Sequence, residues 1–549
     1  MSLQASPMVS IPAETARVAH AAFPKGTLCL QIRDTLGPLY ADAQFAALFS
    51  PTGQPAEAPA RLALVLILQF TESLSDRQAA QAVRGRIDWK YALGLELTDP
   101  GFDASVLSEF RTRLVHGGAE ALLLEPLLRQ LEAHDLLKAR GTQRTDSTHI
   151  LAAIRTLNRL ELVGETMRYA LNRLAVAAPA WLQAHLPPAW GERYRHRVEN
   201  YRLPKTDAER QQLAATIGAD GFTLLRAASA PEAPPAVREA PAVEVLRQIW
   251  VQQYYGPDDP PRWRQEPDVP PAALLIHSPY DLDARYSIQR GSAWVGYKAH
   301  LTETCDADTP HVITHVATTP ATTPDDNMVE TIHAALATHA RLPQQHLVDC
   351  GYTDSETFVH SAQDYGVHIV GPVAADPSWQ AREDTGYNQS AFTIDWEAHT
   401  ATCPHGKRSR KWQPELDVAG QEVIKIRFAK KDCQACPVRS ACTRAKTEPR
   451  TITVRTQVYY EALLAARHNQ TTAAFKAQYA RRAGIESTLS QGVRAFDLRR
   501  SRYIGFAKTH LQHILIAVGI NLKRIMTWLT HPQPTKPYVS PFAALISSG

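Results

Sequence analysis

Apolar positions along the chain follow two regimes, and the change between them falls near residue 290. Before it, apolar residues recur at helical spacing. Leu62, Leu64, Val65, Ile67 and Leu68 form a crowded run. Ser75–Ala82 opens on a side chain suited to cap a helix. A further helix is predicted from Ser105 through Arg113, with Val106, Phe110 and Leu114 four residues apart on one face. Residues 1–40 carry no strong period. The pattern predicts an all-helical N-terminal domain over 1–136, of a kind able to dock on DNA.

Gln143–Ala152 then reads as a short strand with an acid in its middle. A helical region follows over about 155–228. Between Pro231 and Pro271 there are 10 prolines in 41 residues, which predicts an extended connection, with one Pro-free periodic stretch at Val243–Tyr255. After residue 290 the period shortens. Val295–Thr304, His311–Thr318, His346–Cys350 and Val367–Pro372 read as strands, and Asn327–Ala340 and Ser355–Tyr365 as helices between them. Alternation of this kind predicts a mixed α/β sheet. The predicted organisation is an α/β core over 140–373 that contains a helical and Pro-rich insertion at 155–290. A basic Cys-rich insertion over 374–450, a C-terminal helical part over 451–530 and a tail at 531–549 follow.

The net charge of +4 says little, but its distribution says more. Cys403 to Arg450 holds 12 Lys/Arg against 5 Asp/Glu, and Gln478 to Arg524 holds 9 against 2. Two late segments thus carry positive fields able to attract phosphate, although a solvated charged face reads the same way. The opening residues lack a secretory pattern. Leu511 to Ile520 is far short of the ~20 apolar residues of a membrane span. A cytoplasmic, nucleoid-associated protein with no membrane partner is expected.

Three acids are placed where chemistry could use them. Asp146 lies inside a strand. Asp349 ends a strand and precedes Cys350-Gly351-Tyr352, a common placement for functional carboxylates. Glu486 follows Tyr479 and Arg482 at helical spacing within Gln478–Leu489. An acid in a strand is ordinarily a surface or turn residue, and a helix Glu near Arg is ordinarily a solvated partner. What lifts these three above that reading is the company of five runs in order: RTDSTHI (144–150), GYKAHL (296–301), HVATTPATTPDD (315–326), LVDCGYTD (347–354) and RRAGIESTLSQGVRAFDLRRSRYIG (481–505). These resemble the DDE transposases of bacterial insertion sequences over most of 140–525, and the N-terminal block is similar to the region before their catalytic domain.

The resemblance implies a ribonuclease H-like core with Asp146, Asp349 and Glu486 as its catalytic triad. It also implies two Mg²⁺ (or Mn²⁺) ions held by those carboxylates, with Asp146 bridging both. The family signature Y-x2-R-x3-E-x6-K is met by Tyr479, Arg482 and Glu486, which would assist or contact DNA. It fails at its last place, where Val493 stands and Arg494 comes one step late; Arg494 or Lys508 would have to substitute. His300 is expected to be a satisfied structural histidine, and Asp325 and Asp326 to cap the helix that begins near Asn327.

Seven cysteines are few for 549 residues, and four of them cluster. Cys403, Cys433, Cys436 and Cys442 form C-x29-C-x2-C-x5-C, whose CxxC knuckle suits tetrahedral Zn²⁺. His405 is a possible alternative ligand. Lys407, Arg408, Arg410, Lys411, Lys430 and Lys431 would help keep thiolates ionised. The irregular last interval also fits a set of reduced thiols. Cys29, Cys305 and Cys350 have no partner spacing. The expected partners are double-stranded DNA, as terminal inverted repeats and target, and further copies of the chain in a dimer or higher assembly. Two rival readings remain: a catalytically inactive DNA-binding relative, and a nuclease of the same fold without strand transfer.

Overall fold

The computed structural model describes residues 2–3, 10–256, 260–289, 291–383, 386–530, 540 and 545. Nearly all of the 531–549 tail lies outside these described residues. At the centre is a curled, mixed sheet of six strands: β1 (Thr142–Leu151), β2 (Arg285–Gln289), β3 (Ser292–Thr304), β4 (Ile313–Pro320), β5 (Gln345–Leu347) and β6 (His368–Val370). The order is β2-β3-β1-β5-β6, and β4 pairs with the second half of the long strand β3. β1 runs antiparallel to β3 and parallel to β5. Helices Met328–Thr338 and Ser355–Tyr365 lie where the sequence predicts them.

β1 is a central strand built largely from polar residues, and it persists because each has a partner. Thr145 Oγ1 hydrogen-bonds Thr302 Oγ1 at 2.7 Å and His346 Nε2 at 2.6 Å. Gln143 donates to the Arg341 carbonyl and accepts from Thr314 Oγ1. Side chains on alternate residues face opposite sides, so Arg144, Asp146 and Thr148 share one face and Thr145 and Ser147 the other.

The N-terminal helices do not stand apart from the last helix. Pro59–Thr71 is buried almost all round, as a helix within a core must be. It packs against Phe506–Thr530, and residues of both join the largest apolar cluster together with Tyr297, Ala299 and Leu301 of β3. Ser75 and Gln78 form a reciprocal capping box on Asp76–Gly85. Helices Ala13–Ala22 and Leu28–Leu36 arise where no period was legible, and the first buries only Thr15 and Ala19. No helix among the described residues is long and apolar enough to cross a membrane.

Both insertions are more regular than their composition suggests. Arg159–Ala177, Asp207–Ala228 and Pro241–Gln253 enclose their own apolar cluster. Gly218 and Gly221 let Tyr254 and Trp250 press onto the middle helix, where a Cβ would meet those rings at 2.5 and 2.1 Å. The Pro-rich stretch is not simply extended, because Pro235 and Pro241 each open a helix, where a missing N–H costs nothing. In the Cys-rich insertion, Lys411–Leu416 and Glu422–Arg427 make a three-stranded sheet with Thr451–Arg455, a strand at the start of the stretch expected to be helical. Alternation along Glu422–Arg427 buries Ile424 and Ile426 and leaves Lys425 outside.

Candidate active site

The pairing of β1 with β5 sets the first two acids side by side. Arg144 stands opposite Leu347, so two further steps bring Asp146 opposite Asp349, just past the end of β5. Asp349 turns the chain there, its Oδ1 accepting the Gly351 N–H at 2.8 Å. Beneath the turn, Tyr352 is buried against His300, whose Nδ1 lies 2.7 Å from the tyrosine oxygen and whose Nε2 meets Thr319 Oγ1. His300 is thus a satisfied structural side chain, and burial pushes its imidazole down to about 3.

The third acid arrives on helix Gly484–Phe496, and one guanidinium gathers all three. Arg482 Nη2 lies 2.7 Å from Asp146 Oδ2 and 3.7 Å from Asp349 Oδ2, while its Nη1 lies 3.2 Å from Glu486 Oε1. Burial pushes the Asp146 carboxyl up to about 6. Arg482 and the Ser147 N–H pull it back, and Asp349 and Asp325 push further. Glu486 is held differently: its side chain is 68% exposed, so its pair with Arg482 is weak and the carboxylate is free to swing.

A single helix over Gln478–Leu489 was expected, but the structure breaks it. Ala473–Tyr479 ends, Ala480–Ala483 tightens into a 3-10 turn, and Gly484–Phe496 starts afresh. The chain is anchored on both sides of the turn. Tyr479 stacks on Phe475 and packs on Leu347 and Val370. Gly484 lies against Arg144, where a Cβ would meet the guanidinium at 2.1 Å. Tyr479 therefore does not share a helix face with Glu486, although Arg482 does pair with it. Val493, at the signature's lysine place, packs against the main core, and Arg494 and Lys508 are exposed without an ion pair to the three acids.

What fixes the Glu486 helix against the sheet is a buried ionic network. Glu303, fully buried on β3, receives Arg144 at 2.6 Å, Arg524 at 2.7 Å and the Thr488 hydroxyl at 2.6 Å. Arg144 Nη1 also donates to the Arg481 carbonyl at 2.5 Å. Arg144 lies two residues before Asp146 and Thr488 two after Glu486, so the network locks their two elements together.

Sequence reasoning missed a second charged pair at the site. Asp325 does not cap the helix after it: the cap position is Asn327, with no side-chain bond, and that helix begins at Met328. Asp325 reaches instead to Lys298 Nζ at 2.9 Å and accepts from Ser147 Oγ at 3.2 Å. Asp325 Oδ2 and Asp349 Oδ1 both lie within 3.5 Å of the point a Cβ on Gly351 would occupy. Ser147 and Lys298 project on the face of the sheet opposite Asp146, so the acids are flanked by Arg482 on one side and this pair on the other. The available signal was Lys298 itself, a cation on a largely buried strand, which needs an acid partner. Asp326 is turned away and accepts the Asn327 N–H.

Cys403, Cys433, Cys436 and Cys442 line one cavity together with His405, Lys407, Lys431 and Arg450. The Lys407 N–H points at Cys403 Sγ at 3.4 Å. Burial pushes the Cys442 thiol up, and the other three sulfurs add to the rise. As the side chains stand, no group of three or more His, Cys, Asp or Glu among the described residues is arranged to hold a metal ion. At the three acids the reason is visible, since the Arg482 guanidinium lies among them.

Comparison with protein families gives two matches. Residues 402–526, which carry Glu486 and its helix, match a transposase DDE domain. Residues 17–113, within the N-terminal helices, match a transposase domain designated DUF772. The two matches support an insertion-sequence DDE transposase. Neither match reaches Asp146 or Asp349, and no curated protein matches the chain. The DDE match suggests an enzyme, and the transposase families imply DNA as substrate.

Proposed function

We propose that the chain is a metal-dependent DNA transposase that cleaves the ends of its element and joins the freed 3′-hydroxyl to target DNA. The observation that carries this reading is the convergence of Asp146, Asp349 and Glu486 on a single positive group. A place where three carboxylates surround one cation has the charge and the oxygen-only donor set that suit Mg²⁺ or Mn²⁺. Two such ions would there stabilise the entering and leaving oxygens of a phosphodiester displacement. Asp146, Asp349 and Glu486 would hold them. Exposure lets Glu486 swing inward, and Arg482 would then turn its guanidinium to the DNA phosphate. Tyr479 and Arg494 are assigned to DNA flanking the cut.

The mixed sheet with its two insertions is read as a ribonuclease H-like core over 140–373 and 451–530, behind a DNA-binding block at 1–136. The basic insertion at 374–450 is read as a zinc-supported DNA contact. Two DNA ends would be held by a dimer or higher assembly, in the cytoplasm with the nucleoid.

The test uses the full chain and a duplex carrying the inverted repeats beside its gene. Nicking that needs Mg²⁺ and is abolished in Asp349→Asn is expected, followed by a joined product. Wild type and Asp349→Asn equally inert would refute catalysis; cleavage with no joined product would leave a nuclease. For zinc, protein purified under reducing conditions without chelator should hold about one equivalent, lost in Cys436→Ser. Less than about half an equivalent in wild type would end that assignment.

A further inference from the structure

Past the site, β1 leads to a surface that neither the triad nor the Cys-rich insertion explains. Residues 195–205, on the helical insertion, expose Arg195, Arg197 and Lys205, and among the described residues these make no ion pair or hydrogen bond through their side chains. Beside them Tyr201 is 74% exposed, with the Arg202 guanidinium 5.3 Å from its ring centre.

The backbone carrying these side chains is held firmly. Glu165, 2% exposed, accepts the Val198 N–H at 2.6 Å, and Glu161, 5% exposed, accepts the Asn200 N–H at 2.9 Å. Arg155 donates to the Val198 carbonyl at 2.5 Å, and Gly164 leaves room for the Val198 side chain. Buried acids thus bind the inner edge of the loop, while Arg195, Arg197 and Lys205 are exposed and unpaired among the described residues and Arg202 pairs within the loop with Glu199 at 3.9 Å. An ordinary solvated face gains nothing from such rigidity.

Its position is also informative. From Asp146 the strand passes Thr148, which receives Arg499 Nε at 3.0 Å, and then Leu151, bridged to Arg500. It continues to Arg155, which holds the loop. Cations therefore accompany β1 from the site to the loop. Twelve residues separate Asp146 from Asn158, a reach of at most about 42 Å, or roughly 12 base pairs of duplex at ~3.4 Å each.

We propose that residues 195–205 form a preorganised contact for the backbone of duplex DNA within about one helical turn of the cut. The proposal rests on the transposase reading for the presence of DNA. Arg195, Arg197 and Lys205 would each neutralise a phosphate, and Tyr201 with Arg202 would cover a sugar edge.

The experiment measures binding of a fluorescein-labelled 30-base-pair random duplex to the full chain, without divalent metal, from 50 to 300 mM salt. Each lost phosphate contact lowers the slope of log K against log salt by about 0.9. The R195S/R197S/K205S variant should therefore lose about 2.7 from the slope, and at least about tenfold in affinity at 100 mM salt. A control triple of exposed cations elsewhere on the same insertion, R173S/R226S/R238S, should keep the wild-type slope. An unchanged slope in the first triple, or an equal loss in both, overturns the inference. Wild type that binds no DNA at any salt would instead overturn the transposase reading.

Discussion

Replacing Glu303 by Gln should unseat the Glu486 helix, and the size of the effect follows from the network around it. The carboxylate is fully buried, with two guanidiniums and a hydroxyl upon it. Gln keeps the shape and one acceptor oxygen but removes the only negative charge between Arg144 and Arg524. Leaving buried charge uncompensated costs about 3–5 kcal/mol. At ~2–4 °C per kcal/mol for a folding unit of this size, the melting midpoint should fall by about 6–20 °C. A contrasting pair tests the logic. Arg427 and Glu448 lie in contact with side chains 46% and 56% exposed, so Glu448→Gln should cost under about 0.5 kcal/mol. Differential scanning fluorimetry of the three proteins, with nicking assayed well below each midpoint, is the assay. A Glu303→Gln midpoint within about 1 °C of wild type would refute the reasoning. So would a variant that melts early yet nicks normally while folded, because the network would then not position Glu486.

Two further predictions follow from the same structure. Burial holds the imidazoles of His300 and His513 at about 3 and those of His315 and His333 at about 4, below the free value near 6.5. Unfolding therefore takes up protons that the folded chain refuses: stability is full above about pH 6.5 and falls as pH drops towards 4, by about 2 kcal/mol per histidine at pH 5. Urea midpoints at pH 7.5 and 5.0 should differ accordingly, and equal midpoints would contradict the burial. Asp325→Asn should leave Lys298 short of its charge partner and loosen the turn at Gly351. The thermal stabilisation given by added Mn²⁺ should drop to less than half that of wild type, and a full Mn²⁺ response would remove Asp325 from the site.

The parts of the site that were legible in the sequence are those set by local rules. Arg482 and Glu486 pair because they are four residues apart across the turn that leads into the Gly484–Phe496 helix, and Asp349 turns the chain because a strand ends beside Gly351. Strands β3 to β6 of the α/β core were legible from their pattern and β1 as a short run with an acid in its middle, whereas β2 lay inside the stretch read as the helical and Pro-rich insertion. Asp325 was misread because the residue that decides its direction, Lys298, lies 27 positions earlier on another strand. The unbroken helix was misread because the break depends on Arg144, more than 300 residues away. The sheet in the Cys-rich insertion stayed hidden because its buried Ile424 and Ile426 alternate with lysine and arginine that dominate the composition.

The core shared by Pro59–Thr71 and Phe506–Thr530 sets a condition on when this protein can fold. Part of the apolar surface of Pro59–Thr71 is covered by Phe506–Thr530, so a chain terminated before that final stretch would carry a bare oily flank on its N-terminal portion. Such a fragment would expose a patch that invites aggregation. Burial of the N-terminal helices is thus tied to completion of the helix Phe506–Thr530.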